Sequence, residues 1–157
     1  MLLDEQVLQR MGQGLGWTQG DINSFIGFHY KAITQLIQRM SLKHMVSNDP
    51  ARIREINDLI QSKDKEDIKK GFKAVQDQIE LELTTYPDLK AEIDQYIKEY
   101  EEDIFFKFLE IAEVEAVLDL LKYMKTQINN YDRYIDIYKT VEKRVGETKI
   151  KEVLGEI

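Results

Sequence analysis

The run His29-Tyr30-Lys31, followed at helical spacing by Thr34, Gln35, Gln38, Arg39 and Lys43, gathers donors, acceptors and a stacking ring without one acid. Side chains of these kinds read base edges in a major groove, and cations beside them hold phosphates. Arg39 and His44 offer a second chemistry, a guanidinium to stabilise a phosphate and an imidazole for proton transfer. Glu99 with Glu102 and Glu110 with Glu113 are Glu-x-x-Glu pairs of the kind that holds a hard cation and its phosphates. Glu55-x-x-Asp58 is the one Glu-x-x-Asp pair that could complete such a set, and it precedes the others. In a chain with 29 Asp and Glu, solvated helix faces explain these pairs better. There is no cysteine and neither of the two histidines sits in a Glu-x-x-His pair. A disulfide framework, thiolate metal sites, a cysteine nucleophile and the nitrogen ligands of a di-iron bundle are therefore excluded. No phosphate loop, dinucleotide fingerprint or nucleophile elbow is present. The reading that follows is non-enzymatic, with no catalytic residue, no metal and no cofactor.

The elements that would position these residues are helical. Leu3, Val7, Leu8 and Met11 share one side of a short helix that Gly12, Gly14 and Gly16 interrupt. Thr18 is a good N-cap with Asp21 in the first turn, and the helical pattern then runs to about Met45. Ser47-Asn48-Asp49-Pro50 is a turn, with Pro50 placed to open the next helix. Ile53, Ile56 and Ile60 are in register, and Asp64 can cap a helix carrying Ile68, Phe72, Val75 and Ile79. From Leu89 to Val145 apolar residues recur at a mean step of about 3.5, the spacing of a coiled-coil seam. Either one very long helix or an antiparallel pair broken at Asn129-Asn130 would satisfy it. Gly146 ends a helix, and Ile150–Ile157 forms a short last one. Any β-structure would be a hairpin near residues 45–56. Tyr131, Tyr134 and Tyr138 form a stripe best read as the edge of a core.

Within Thr18–Ile37, Ile22, Phe25 and Ile26 line a first helix, Gly27 can make a tight turn, and Phe28, Ile33, Leu36 and Ile37 line a second. The segment resembles the helix-turn-helix of DNA-binding regulators, through Gln19, Ile22, Ile26, Gly27, Phe28, Ile33 and Leu36. FIGFHYKAITQLI is similar to the turn and recognition helix of phage repressors and of the multiple-antibiotic-resistance family. Arg39–Val46 is similar to the passage from recognition helix to wing in the second of these. The resemblance covers about thirty residues. It implies double-stranded DNA binding with His29, Tyr30, Lys31, Thr34, Gln35 and Gln38 toward bases, and Arg39 and Lys43 toward phosphates. The same spacing also fits a single long helix, in which Gly27 would cost about 1 kcal/mol and His29 would face a core. Arg39 and His44 also match the spacing of an all-helical ribonuclease family called HEPN.

Charge divides the chain. Residues 1–54 hold six Lys/Arg against four Asp/Glu, so of the totals of 22 and 29, sixteen and twenty-five remain for residues 55–157, a net of −9. A chain of 157 residues is read as a helix-turn-helix region over 1–60 and an acidic helical dimerisation region over 61–157. The most apolar window, Ile104–Met124, carries Lys107, Glu110, Glu113, Glu115, Asp119 and Lys122, too many charges for lipid. No basic start precedes an apolar core, so no signal peptide is read and a cytoplasmic location is expected. The expected protein is mainly α, with an N-terminal helix-turn-helix, an optional vestigial wing and long antiparallel or coiled-coil helices. Its expected function is transcriptional regulation as a homodimer joined through the C-terminal helices. An all-helical interaction bundle (immunity protein, inhibitor or assembly subunit) and the ribonuclease are the alternatives.

Overall fold

The computed structural model describes residues 3–127 and 131–155, with side chains for all of these except 131–133. Among them are eight helices and no strand: α1 (Glu5–Gly14), α2 (Gln19–Asn48), α3 (Pro50–Ile60), α4 (Lys65–Thr85), α5 (Pro87–Ile111), α6 (Val114–Gln127), α7 (Tyr131–Val145) and α8 (Glu147–Leu154). The protein is mainly α, as the periodicity requires. No described helix is long and apolar enough to cross a membrane.

Most helix starts follow from local chemistry. The Asp4 carboxylate accepts from the Val7 amide at 2.8 Å, and Asp64 from Glu66 at 2.7 Å. Thr18 Oγ1 accepts from the Asp21 amide at 3.2 Å and donates to the Asp21 carboxylate at 2.8 Å. Asp49 caps α3 through the Arg52 amide at 3.2 Å, with Pro50 at the first helical position where its missing N–H is no loss. Asp49 alone separates α2 from α3, so the hairpin considered near 45–56, and with it the wing, is not formed.

The chain forms two compact units. The split unit comprises Met1–His29 with Lys98–Ile157, and the continuous unit comprises Tyr30–Ile97. The expected division at residue 60 is corrected, because residue 60 ends α3 inside the continuous unit, where α3 and α4 are packed as a hairpin. Their approach is close: a Cβ on Gly71 would lie 2.7 Å from Ile60 Cγ1 and 3.1 Å from Leu59 Cβ. Only glycine lets the two backbones meet at that point.

The split unit holds the large core. Leu3, Val7, Leu8 and Met11 of the N-terminal segment meet Phe105, Phe108 and Leu109 of α5 and Leu118, Leu121 and Met124 of α6. Tyr138, Val141, Ile150 and Leu154 belong to the same cluster. The Tyr134–Tyr138 part of the expected stripe is buried, and Tyr138 Oη donates to the Gly155 carbonyl at 3.0 Å; the Tyr131 side chain lies outside the described residues. The long seam from residue 89 is neither one helix nor a simple hairpin. The Asn129-Asn130 break falls outside the described residues, but α5 already ends before Ala112 and Glu113. Arg144 Nη2 donates to the freed Ala112 carbonyl at 2.6 Å, placing a cation at the negative end of α5.

Candidate functional site

α2 runs unbroken through Gly27, and this corrects the expected turn. Gly27 is helical and a Cβ there would meet nothing within 4 Å, so no feature of the packing calls for glycine. Gly27→Ala is therefore expected to stabilise the protein by about 1 kcal/mol through helix propensity alone. A chemical-denaturation midpoint that moved downward instead would restore the left-handed turn.

His29 does not face outward with the residues that follow it. It is 1% exposed in the split unit, its ring stacked on Tyr100 at a centroid distance of 5.6 Å and lying near the Leu3 carbonyl. The Leu3 amide donates to the carboxylate of Glu101, itself 1% exposed. A side chain of α5 thus holds the amide of one N-terminal residue, with the His29 ring of α2 packed beside it. Burial pushes the His29 imidazole below its ordinary value, with the Leu3 carbonyl partly opposing the shift. The unfolded chain then binds more protons than the folded one as the pH falls below about 6.5, so stability declines with acidification in that range. Urea midpoints at successive pH values should show this decline, and His29→Gln should remove it.

The other seven candidates all lie in the continuous unit. Tyr30, Lys31, Thr34, Gln35, Gln38, Arg39 and Lys43 are exposed on α2. No Asp or Glu occurs between Asp21 and Asp49, so Lys31, Arg39 and Lys43 are uncompensated by any acid of that stretch. Arg39 and His44, five residues apart on one helix, differ by about 140° around its axis. His44 lines a cleft on its own side of α2 that does not include Arg39. The shared site that the ribonuclease reading needs is missing. Among the described residues no three His, Asp or Glu side chains are arranged to hold a metal ion.

Sequence reasoning overlooked what surrounds His44. Its Nδ1 lies 2.7 Å from Oε2 of Glu82, a carboxylate 5% exposed on α4 that also accepts from Gln78 Nε2 at 3.4 Å. Tyr86 packs edge-on against the imidazole at 4.4 Å. Asn48 Nδ2 lies 3.1 Å from both ring nitrogens and 3.0 Å from the His44 carbonyl. One N–H cannot point in plane at both nitrogens, so the amide stands over the ring face and its hydrogen bond is to the carbonyl. His44 is thus held by a buried acid and lines a cleft of about 390 Å³. Leu36, Met40, Lys43 and Ser47 of α2 form one wall, and Leu89, Glu92 and Tyr96 of α5 form the other. Such a pair can bind or transfer a proton. Acyl transfer also needs an oxyanion hole, and the neighbouring α2 amides are committed to their helix.

A third feature lies on α4. Its buried residues are Gly71 and Glu82. The apolar stripe that marks it as amphipathic, Ile68, Phe72, Val75 and Ile79, stays half-buried or exposed, and Phe72 is 59% exposed. The comparisons add no relative: no protein-family model, no curated protein and no solved structure matches this chain.

Proposed function

We propose that the chain is a non-catalytic, all-helical interaction protein that pairs with a second copy of itself through the α4 stripe. The observation that carries this reading is the mismatch on α4, which buries a glycine and a carboxylate while, of its four in-register apolar residues, Phe72 is exposed and Ile68, Val75 and Ile79 are only half-buried. An amphipathic helix gains stability by covering that face. Charge favours self-pairing in the antiparallel sense. Lys69 and Lys73 lie in the first half of α4 and Asp77 and Glu80 in the second, all exposed. Two antiparallel copies set each lysine-bearing half against the acid-bearing half of the other, the self-complementarity of a two-fold interface. Light scattering on a sizing column tests it: the wild type should run as a dimer and Phe72→Glu as a monomer of unchanged helicity. A wild type that stays monomeric on concentration sinks the proposal.

A second reading, duplex DNA binding in transcriptional regulation, is favoured by the acid-free outer face of α2. Lys31, Gln35, Gln38 and Arg39 follow one another at helical spacing there, and an α-helix of this width fits a major groove. Here the assay is selection from a random duplex pool across salt concentrations. Enrichment that weakens with salt and disappears in Lys31→Glu supports the reading. Retention indifferent to Lys31 removes it.

A further inference from the structure

The His44 cleft plays no part in pairing along the α4 stripe, and its construction is that of a small-molecule site. Burying a carboxylate is costly unless it is well paired. Glu82 is buried at 5% exposure and its closest partner is His44 Nδ1 at 2.7 Å. What this arrangement secures is a fixed imidazole in the lining of a cleft. The volume of about 390 Å³ falls in the range of about 300–1,000 Å³ usual for small-ligand pockets. It is too small to seat a partner helix about 10 Å wide over several turns.

The lining selects among small molecules. Leu36, Met40, Leu89 and Tyr96 supply an apolar body, which calls for an apolar group on the ligand. Lys43 stands on the α2 wall beside His44, and Glu92 stands on the α5 wall. Both are exposed, and no ion pair within 4.0 Å joins them among the described residues. A purely anionic ligand would meet Glu92 as a like charge, and a purely cationic one would meet Lys43. A ligand carrying both charges satisfies both walls at once.

The geometry points to a binding site for an apolar α-amino acid or a dipeptide of such residues. Its carboxylate would lie toward Lys43 and His44, its ammonium toward Glu92, and its side chain against Leu36, Met40, Leu89 and Tyr96. Binding is non-covalent and releases no product.

The test follows the imidazole resonances of the full-length chain by NMR. The protein has two histidines, and His29, buried in the split unit, is the internal control. Titration with L-phenylalanine and L-leucine should move the His44 signals saturably and leave those of His29 in place. N-acetyl-L-phenylalanine, which lacks the ammonium, and L-phenylalaninamide, which lacks the carboxylate, should each bind about tenfold more weakly. Lys43→Gln should weaken phenylalanine by about the same factor and leave the amide unaffected. Glu92→Gln should weaken phenylalanine and leave the N-acetyl compound unaffected. Both variants are at exposed positions, so their folds should be intact. The absence of saturable movement at about 10 mM, a concentration above an ordinary weak Kd, overturns the site. Equal binding of the zwitterion and its two blocked analogues overturns the assignment of charges.

Discussion

Leu121→Ala is expected to lower the stability of the split unit by about 2–5 kcal/mol. Leu121 is fully buried, with Leu118, Met124, Tyr138 and Val141 in the same cluster. Truncation removes buried methyl groups and leaves a void that helices anchored at both ends cannot close. Of a total stability of about 5–15 kcal/mol for an ordinary domain, such a loss is large. Urea unfolding followed by circular dichroism measures it. Phe72→Ala provides the contrast, because a side chain 59% exposed should cost under about 1 kcal/mol when removed. Equal losses at the two positions would contradict the division between covered core and uncovered stripe.

Glu101→Ala is the second large effect, expected at about 3 kcal/mol, because it strands a buried amide and opens a cavity together. The Leu3 amide that it frees is far from solvent, since Leu3 is 0% exposed. Glu101→Gln retains an acceptor oxygen at the same distance along the chain and should recover most of the loss. The measurement is the pair of unfolding free energies, read with hydrogen exchange in α1. A structural anchor predicts faster exchange at Val7 and Leu8 in the alanine variant alone. Similar losses in both variants would mean that the charge, rather than the hydrogen bond, holds the segment.

Much of the helical framework was legible because its signals are local. Asp49-Pro50, Asp64, Thr18 and Gly146 act within one turn of themselves, and each stands where a helix starts or stops. Gly27 misled for a physical reason. Glycine permits a left-handed turn without requiring one, and its cost inside a helix, about 1 kcal/mol, is within reach of the packing on either side. The end of α5 escaped notice because Ala112 and Glu113 carry no breaker. The apolar spacing of about 3.5 continues in number through a helix end that it cannot register. The carbonyl freed there is taken by Arg144, 32 residues away.

The candidate site was legible only on one side of α2. Exposure of Tyr30, Lys31, Gln35 and Gln38 follows from their helical phase, and so does the inward position of His29 once Gly27 is continuous helix. The cleft was not, because His44 and Glu82 are 38 residues apart. A glutamate in the middle of an amphipathic helix also reads as solvated surface until the tertiary fold covers it.

Sequence order in the two units also governs how the chain assembles. The continuous unit lies within residues 30–97, whereas the split unit draws on segments from both sides of it. On a ribosome, where domains form as units in order of emergence, the α3–α4 hairpin has all its residues before the first residue of α6 is made. The apolar face of α1 has no such early partner: the residues of α6 that share its core with Leu8 and Met11 emerge only after the continuous unit is complete. Joining Leu3 to Glu101 closes a span of 98 positions, and the entropy of that closure grows only as about 1.5RT ln n. Delay rather than energy is therefore the hazard, and α1 is the segment a chaperone would meet uncovered during synthesis.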